Sequence, residues 1–154
     1  MPRLLAEIAY ESAVRALGQQ ETALNELRGR TGTLLAAEAL TTSFLGAGAI
    51  QRGALGLPGR LAIASFAASL CIALCILLPW RGLRFSLSGL GLYEGLQAFG
   101  EDEEEIYRRA AYWLQVLWSR NEAVMARLYP LFTTSVAVLG VELVLWALAL
   151  KDLL

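Results

Sequence analysis

Histidine does not occur among the 154 residues, lysine occurs once, at Lys151, and only 18% of the chain is charged. Without histidine, the usual general base at neutral pH and the commonest metal ligand are missing together. No glycine loop followed by lysine is present to cradle a phosphate, and "GLGLYEG" has neither the dinucleotide spacing nor a preceding strand. No nucleophile has a base beside it in a recognisable pattern. These absences argue against an enzyme and leave no residue set for a cofactor or a metal. A net charge of −1 gives no broad basic surface for DNA or RNA.

Cysteine is scarce as well. Cys71 and Cys75 stand four apart in an apolar run, without the close spacing of a zinc or redox pair, and read as small core residues. The acidic run "EDEEE" at 101–105 spreads around a helical turn rather than converging, so it reads as a solvated helix start rather than a metal site. Glu7, Glu11, Glu21 and Glu26 interrupt the first thirty residues, which therefore lack the apolar core of a secretory signal and are expected to be retained.

Apolar residues are what the chain has in excess: 56% of the sequence, with a mean hydropathy of +0.51, well outside the soluble globular norm. The expected fold class is an all-α membrane protein, one domain over 1–154. Three segments have the length and apolarity of transmembrane helices, at 33–50, 61–79 and 131–150. The second has no charge, and its Ala64, Ser65, Ala68 and Ser69 suit close helix packing. "QRGALGLPGR" reads as the tight hairpin joining the first two spans.

Amphipathic cytoplasmic helices are expected before the first and third spans, at 4–28 and 102–129. In the first, Leu4, Ile8, Val14, Leu17, Leu24 and Leu27 recur at roughly helical spacing, and Gly29 and Gly32 offer a bend into the membrane. In the second, Ile106, Ala110, Trp113, Leu117, Asn121, Val124 and Leu128 follow at three- and four-residue steps, and Pro130 predicts a kink before the last span. Asp102 to Leu150 would make roughly 70 Å of helix at 1.5 Å per residue. The glycine-rich stretch between them, 81–100, reads as an interfacial loop. Trp80, Trp113, Trp118 and Trp146 read as packing and interface anchors.

Two acidic residues stand inside the spans, Glu38 and Glu142. A central carboxylate costs roughly 2.5 to 3.5 kcal/mol on insertion scales, so each needs a reason to be there. Placing the cytoplasmic boundaries near Thr33 and Leu131 sets Glu38 about 8 Å deep and Glu142 about 16 Å deep, in different layers. Glu38 has two readings. It reaches the headgroups or pairs with a cytoplasm-side arginine such as Arg127, or it opens a polar stripe that Thr41 and Thr42 continue. Glu142, with Ser135 two turns before it, reads either as pore lining or as half of an interhelical hydrogen bond.

Three stretches carry a family resemblance: "LRGRTGTLLAA" entering the first span, "LLPWRGLRFS" leaving the second, and "YWLQVLWSRNEAVMARLYPLF" feeding the third. With them the chain resembles the small transmembrane effectors of bacterial antiphage defence, the Pycsar-type effectors and the related SLATT domains. The resemblance implies a homo-oligomer in the bacterial inner membrane that forms a pore or perturbs the lipid bilayer when a nucleotide second messenger calls for it. No separate nucleotide-binding domain is visible in the sequence, so sensing falls either to a partner sensor protein or to the cytoplasmic helices, with Arg108, Arg109 and Arg120 as the phosphate contacts. The alternative is a non-conducting membrane anchor or adaptor whose cytoplasmic helices dock another protein.

Arginine sets the expected orientation. Arg15, Arg28, Arg30, Arg81, Arg84, Arg109, Arg120 and Arg127 fall on one side of the spans, against Arg52, Arg60 and Lys151 on the other. The positive-inside rule then puts the N-terminus in the cytoplasm and the C-terminus outside. An alkaline phosphatase fused after Leu154 should be active, and one fused before Thr33 inactive; the opposite pattern reverses the orientation.

Overall fold

The computed structural model describes residues 5–51, 56–80, 82–89 and 102–151. Among them are three α-helices and no strand: α1 (Leu5–Gln51), α2 (Leu57–Leu77) and α3 (Glu103–Lys151). Each is long and apolar enough to cross a membrane. The chain packs as two compact units, Met1–Asn25 with Trp80–Ala126, and Glu26–Pro79 with Arg127–Leu154. Leu4, part of the inter-span hairpin and most of the 81–100 stretch, including Gly91 and Gly95, lie outside the described residues.

The expected bend at Gly29 and Gly32 is replaced by one uninterrupted helix. A glycine costs about 1 kcal/mol in a helix interior, and packing on the opposite face outweighs it: Leu24, Leu27 and Thr31 are all buried. Thr31 also donates its hydroxyl to the Leu27 carbonyl at 2.8 Å, and Thr33 to that of Gly29 at 3.1 Å. Likewise α3 runs through Pro130 without a break. Leu128 and Ser135 on either side of the proline are buried, so tertiary contacts hold both halves of the helix in place.

The ends of α2 follow from proline chemistry. Pro58 occupies the first turn, where its missing N–H would have had no partner anyway. At the other end Pro79 restricts Leu78, whose backbone is extended (φ −60°, ψ 143°), and the helix stops at Leu77. The guanidinium of Arg28 donates to the Leu78 carbonyl at 3.4 Å, a cation at the negative end of the α2 dipole. Just beyond, Leu83 N–H meets the Trp80 carbonyl at 3.4 Å in a turn that needs Gly82 at φ +135°. A side chain there would be strained.

Burial along the two long helices steps by three and four residues. On α3 the seven-residue series Leu114, Asn121, Leu128, Ser135, Glu142 and Ala149 is buried throughout. On α1 Leu17, Leu24, Thr31 and Glu38 follow the same step, and Gln20 and Leu27 fill the positions between. Such a repeat is the seam of left-handed helix packing. In the first unit α1 and α3 run parallel, since the Tyr10 and Tyr107 rings meet at a tilt (centroids 5.6 Å apart, planes at 54°) and Gln20 donates to the Trp118 carbonyl at 3.1 Å.

This seam corrects the expected stripes. Trp113 stands outward, 58% exposed, and Leu114 takes the inner place; Ile8 and Val14 are also exposed. On α2 the inner face is Ala62, Ser69, Ala73 and Ile76, whereas Ala64 and Ala68 face out. Cys71 and Cys75 share that outer face and are not core residues. A thiol is apolar enough for lipid to accept it in place of a protein neighbour.

At one end of the second unit Ala49, Ala62, Trp146 and Ala149 form a closed cluster with Leu45 and Leu145 against it. Gly46 makes room for the indole. A Cβ at position 46 would meet Trp146 Cη2 at 3.3 Å. Gly46→Val should therefore destabilise the folded helices by about 1–3 kcal/mol, the usual cost of overpacking, measured by denaturation in mixed micelles. Wild-type stability would mean the indole has another place to go.

Candidate functional site

The second unit is apolar outside and holds a buried polar cluster beside its apolar one. Glu38, Ser69, Ser135 and Glu142 are all at most 1% exposed, while Leu40, Phe44, Leu74, Val141 and Val144 are open to the surroundings. One residue from each helix builds the first polar layer. Ser69 of α2 donates to Glu38 Oε1 of α1 at 2.7 Å, and its oxygen lies 2.9 Å from that of Ser135 on α3. A serine has one hydroxyl proton, so with Ser69 donating to the carboxyl, Ser135 donates to Ser69. The three-helix contact is thus a directed chain, Ser135 to Ser69 to Glu38.

The second layer belongs to Glu142. Its Oε1 accepts from the Thr42 hydroxyl of α1 and from Trp146 Nε1 at 3.3 Å, one turn along its own helix. Thr42 lies one turn after Glu38 on α1, so the layers are successive. In each carboxyl the second oxygen, Glu38 Oε2 and Glu142 Oε2, is buried and has no hydrogen-bond partner.

Several sequence expectations are redistributed by this geometry. Glu38 takes a serine as its partner, not Arg127, which lies on an exposed face. Ser135 joins Glu38 through Ser69 and not Glu142, because two turns of α3 separate it from that carboxyl. Thr42 is part of the network, but Thr41 is not: its hydroxyl turns back to the Ala37 carbonyl at 2.9 Å. Ser69 and Trp146, read from the sequence as packing residues, are donors to the two glutamates.

In the first unit Asn121 does similar work. Its amide donates to the Arg84 carbonyl at 2.9 Å and its oxygen accepts from the Arg84 N–H at 3.3 Å, pinning the segment after α2 to α3 as a strand neighbour would. Of the arginines proposed for an anion, Arg108 and Arg109 converge on one carboxylate of the chain itself, Glu105, at 2.7 and 3.2 Å. Those hydrogen bonds, from Arg108 first and Arg109 second, hold the Glu105 carboxyl below the usual range. With Tyr112 these residues line a surface groove of about 330 Å³. Arg120 is exposed and lines no part of it.

No protein-family model, curated protein or solved structure matches the chain.

Removing the Ser69 hydroxyl breaks the hydrogen-bonded chain that joins all three helices. Ser69→Ala should lower stability by about 1–2 kcal/mol, the scale of an intramembrane hydrogen bond, whereas Thr41→Ala should stay within about 0.5 kcal/mol because its hydroxyl serves only its own helix. Equal losses in micellar denaturation would remove the special role of the Glu38 layer.

Proposed function

We propose that this chain is a non-enzymatic effector of the bacterial inner membrane that assembles from several copies and opens or disorders the bilayer, in antiphage defence signalled by a nucleotide. The observation that carries the reading is the surface of the second unit, with large aliphatic side chains outward while Glu38, Ser69, Ser135 and Glu142 are packed within, as a bilayer solvent requires. The arginine asymmetry and the three stretches that resemble those of the transmembrane effectors support the orientation and the class.

Both carboxyls face the inside of one subunit, so a path between copies would be lined by outward residues. Thr133 and Thr134 supply exposed hydroxyls for it, each already bonded to the carbonyl four residues back. A nucleotide phosphate entering the Glu105 groove would compete with that carboxylate for Arg108 and Arg109; otherwise a sensor protein brings the signal.

The burial of Glu38 and Glu142 specifically favours a second reading, the membrane anchor or adaptor, because polar groups that join helices need no pore to explain them. Current across a planar bilayer separates the two. Purified protein, measured with and without cyclic and linear nucleotides, should conduct, and Glu142→Gln should leave ion selectivity unchanged while Thr133→Ala with Thr134→Ala lowers unit conductance. A chain that inserts, assembles and never conducts is an anchor.

A further inference from the structure

Two carboxyl groups inside one helical unit raise a question of charge balance that the hydrogen bonds do not answer. From Thr31 to Gln51 α1 carries one charged residue, Glu38; α2 has none after Arg60; and from Leu128 to Leu150 α3 has only Glu142. Along the helices the nearest basic side chains are Arg30, eight residues before Glu38, Arg127, eight before Ser135, Arg60, nine before Ser69, and Lys151, nine after Glu142. Eight or nine residues of helix place each about 12–14 Å along the axis from the polar layers. All four are exposed, and Arg30 is already committed to Glu26 at 2.5 Å.

Hydroxyl and indole donors occupy one oxygen of each carboxyl and leave Oε2 bare, in groups that are 0% exposed. Burying two anions without countercharge is far more costly than the packing around them can offset. No basic side chain among the described residues supplies the balancing cation. It must come from outside.

We propose that the interior of the second unit is a cation site, in which Glu38 Oε2 and Glu142 Oε2 take up monovalent positive charge from solution, as a proton or as a sodium ion. The polar groups of this interior are carboxyl and hydroxyl oxygens, with Ser69 and Thr42 bonded to the other oxygen of each carboxyl, a hard set that suits these cations and offers nothing to a soft metal. Cys71 and Cys75, the other titratable groups of α2, lie on its outer face and take no part. The site stands independently of the proposed function, since a pore-former and an anchor face the same charge imbalance.

Infrared spectra of the full chain in lipid vesicles, at neutral pH in sodium-free choline buffer and in sodium buffer, test it. A carboxyl that carries a proton shows a carbonyl stretch, which exposed, ionised carboxylates do not. A carbonyl band present in both buffers identifies a proton as the occupant. One that appears only when sodium is withdrawn identifies sodium. Glu38→Gln and Glu142→Gln should each delete a share of the band; where either fails to insert, Glu38→Asp and Glu142→Asp should shift it instead. No carbonyl band in either buffer, with carboxylate bands indifferent to sodium, would overturn the proposal.

Discussion

In a bilayer the hydrogen bond between a buried carboxyl and a hydroxyl on another helix is the contact on which the remaining arrangement depends. Apolar side chains distinguish poorly between a protein neighbour and a lipid tail, so they set no helix rotation alone. Ser69 reaching Glu38, and Thr42 reaching Glu142, do. Once those two bonds are made, α2 must present Ala62, Ser69, Ala73 and Ile76 inward, and the indole of Trp146 must enter the space that Gly46 leaves. The aliphatic exterior then follows as what remains.

The same physics decides what could be read from the sequence. Three apolar stretches of spanning length were legible because length and hydropathy suffice for them. Glu38 and Glu142 were legible because a charge is conspicuous in such stretches. Their partners were not. Ser69 sits among Ala64, Ser65 and Ala68, and nothing in hydropathy says which of these small residues faces a helix and which faces lipid. Cys71 and Cys75 were assigned to the core for the same reason and lie outside it.

Local propensity misled in the other direction. Gly29, Gly32 and Pro130 are signals for a bend or a stop in water, yet α1 and α3 pass through all three. Leaving the helix inside or next to lipid would expose backbone groups with no water to receive them, a larger cost than a glycine or one lost hydrogen bond. Pro79 did end α2, because the extended Leu78 before it gives its carbonyl to Arg28 and not to lipid. In the first unit the shift from Trp113 to Leu114 came from reading a 3.6-residue period where the helices keep seven residues for every two turns.

That seven-residue step limits how this chain can change length. One residue added to α1 between Leu24 and Glu38 would turn everything after it by about 100°. The carboxyl would then point at lipid, away from Ser69, though every span would keep its composition and hydropathy. A loss of one residue between Asn121 and Ser135 on α3 does the same in the opposite sense. Only additions or deletions near a whole heptad restore both carboxyls to their hydroxyls. Relatives that keep this interior should therefore differ in length at the connections and very little within α1 and α3.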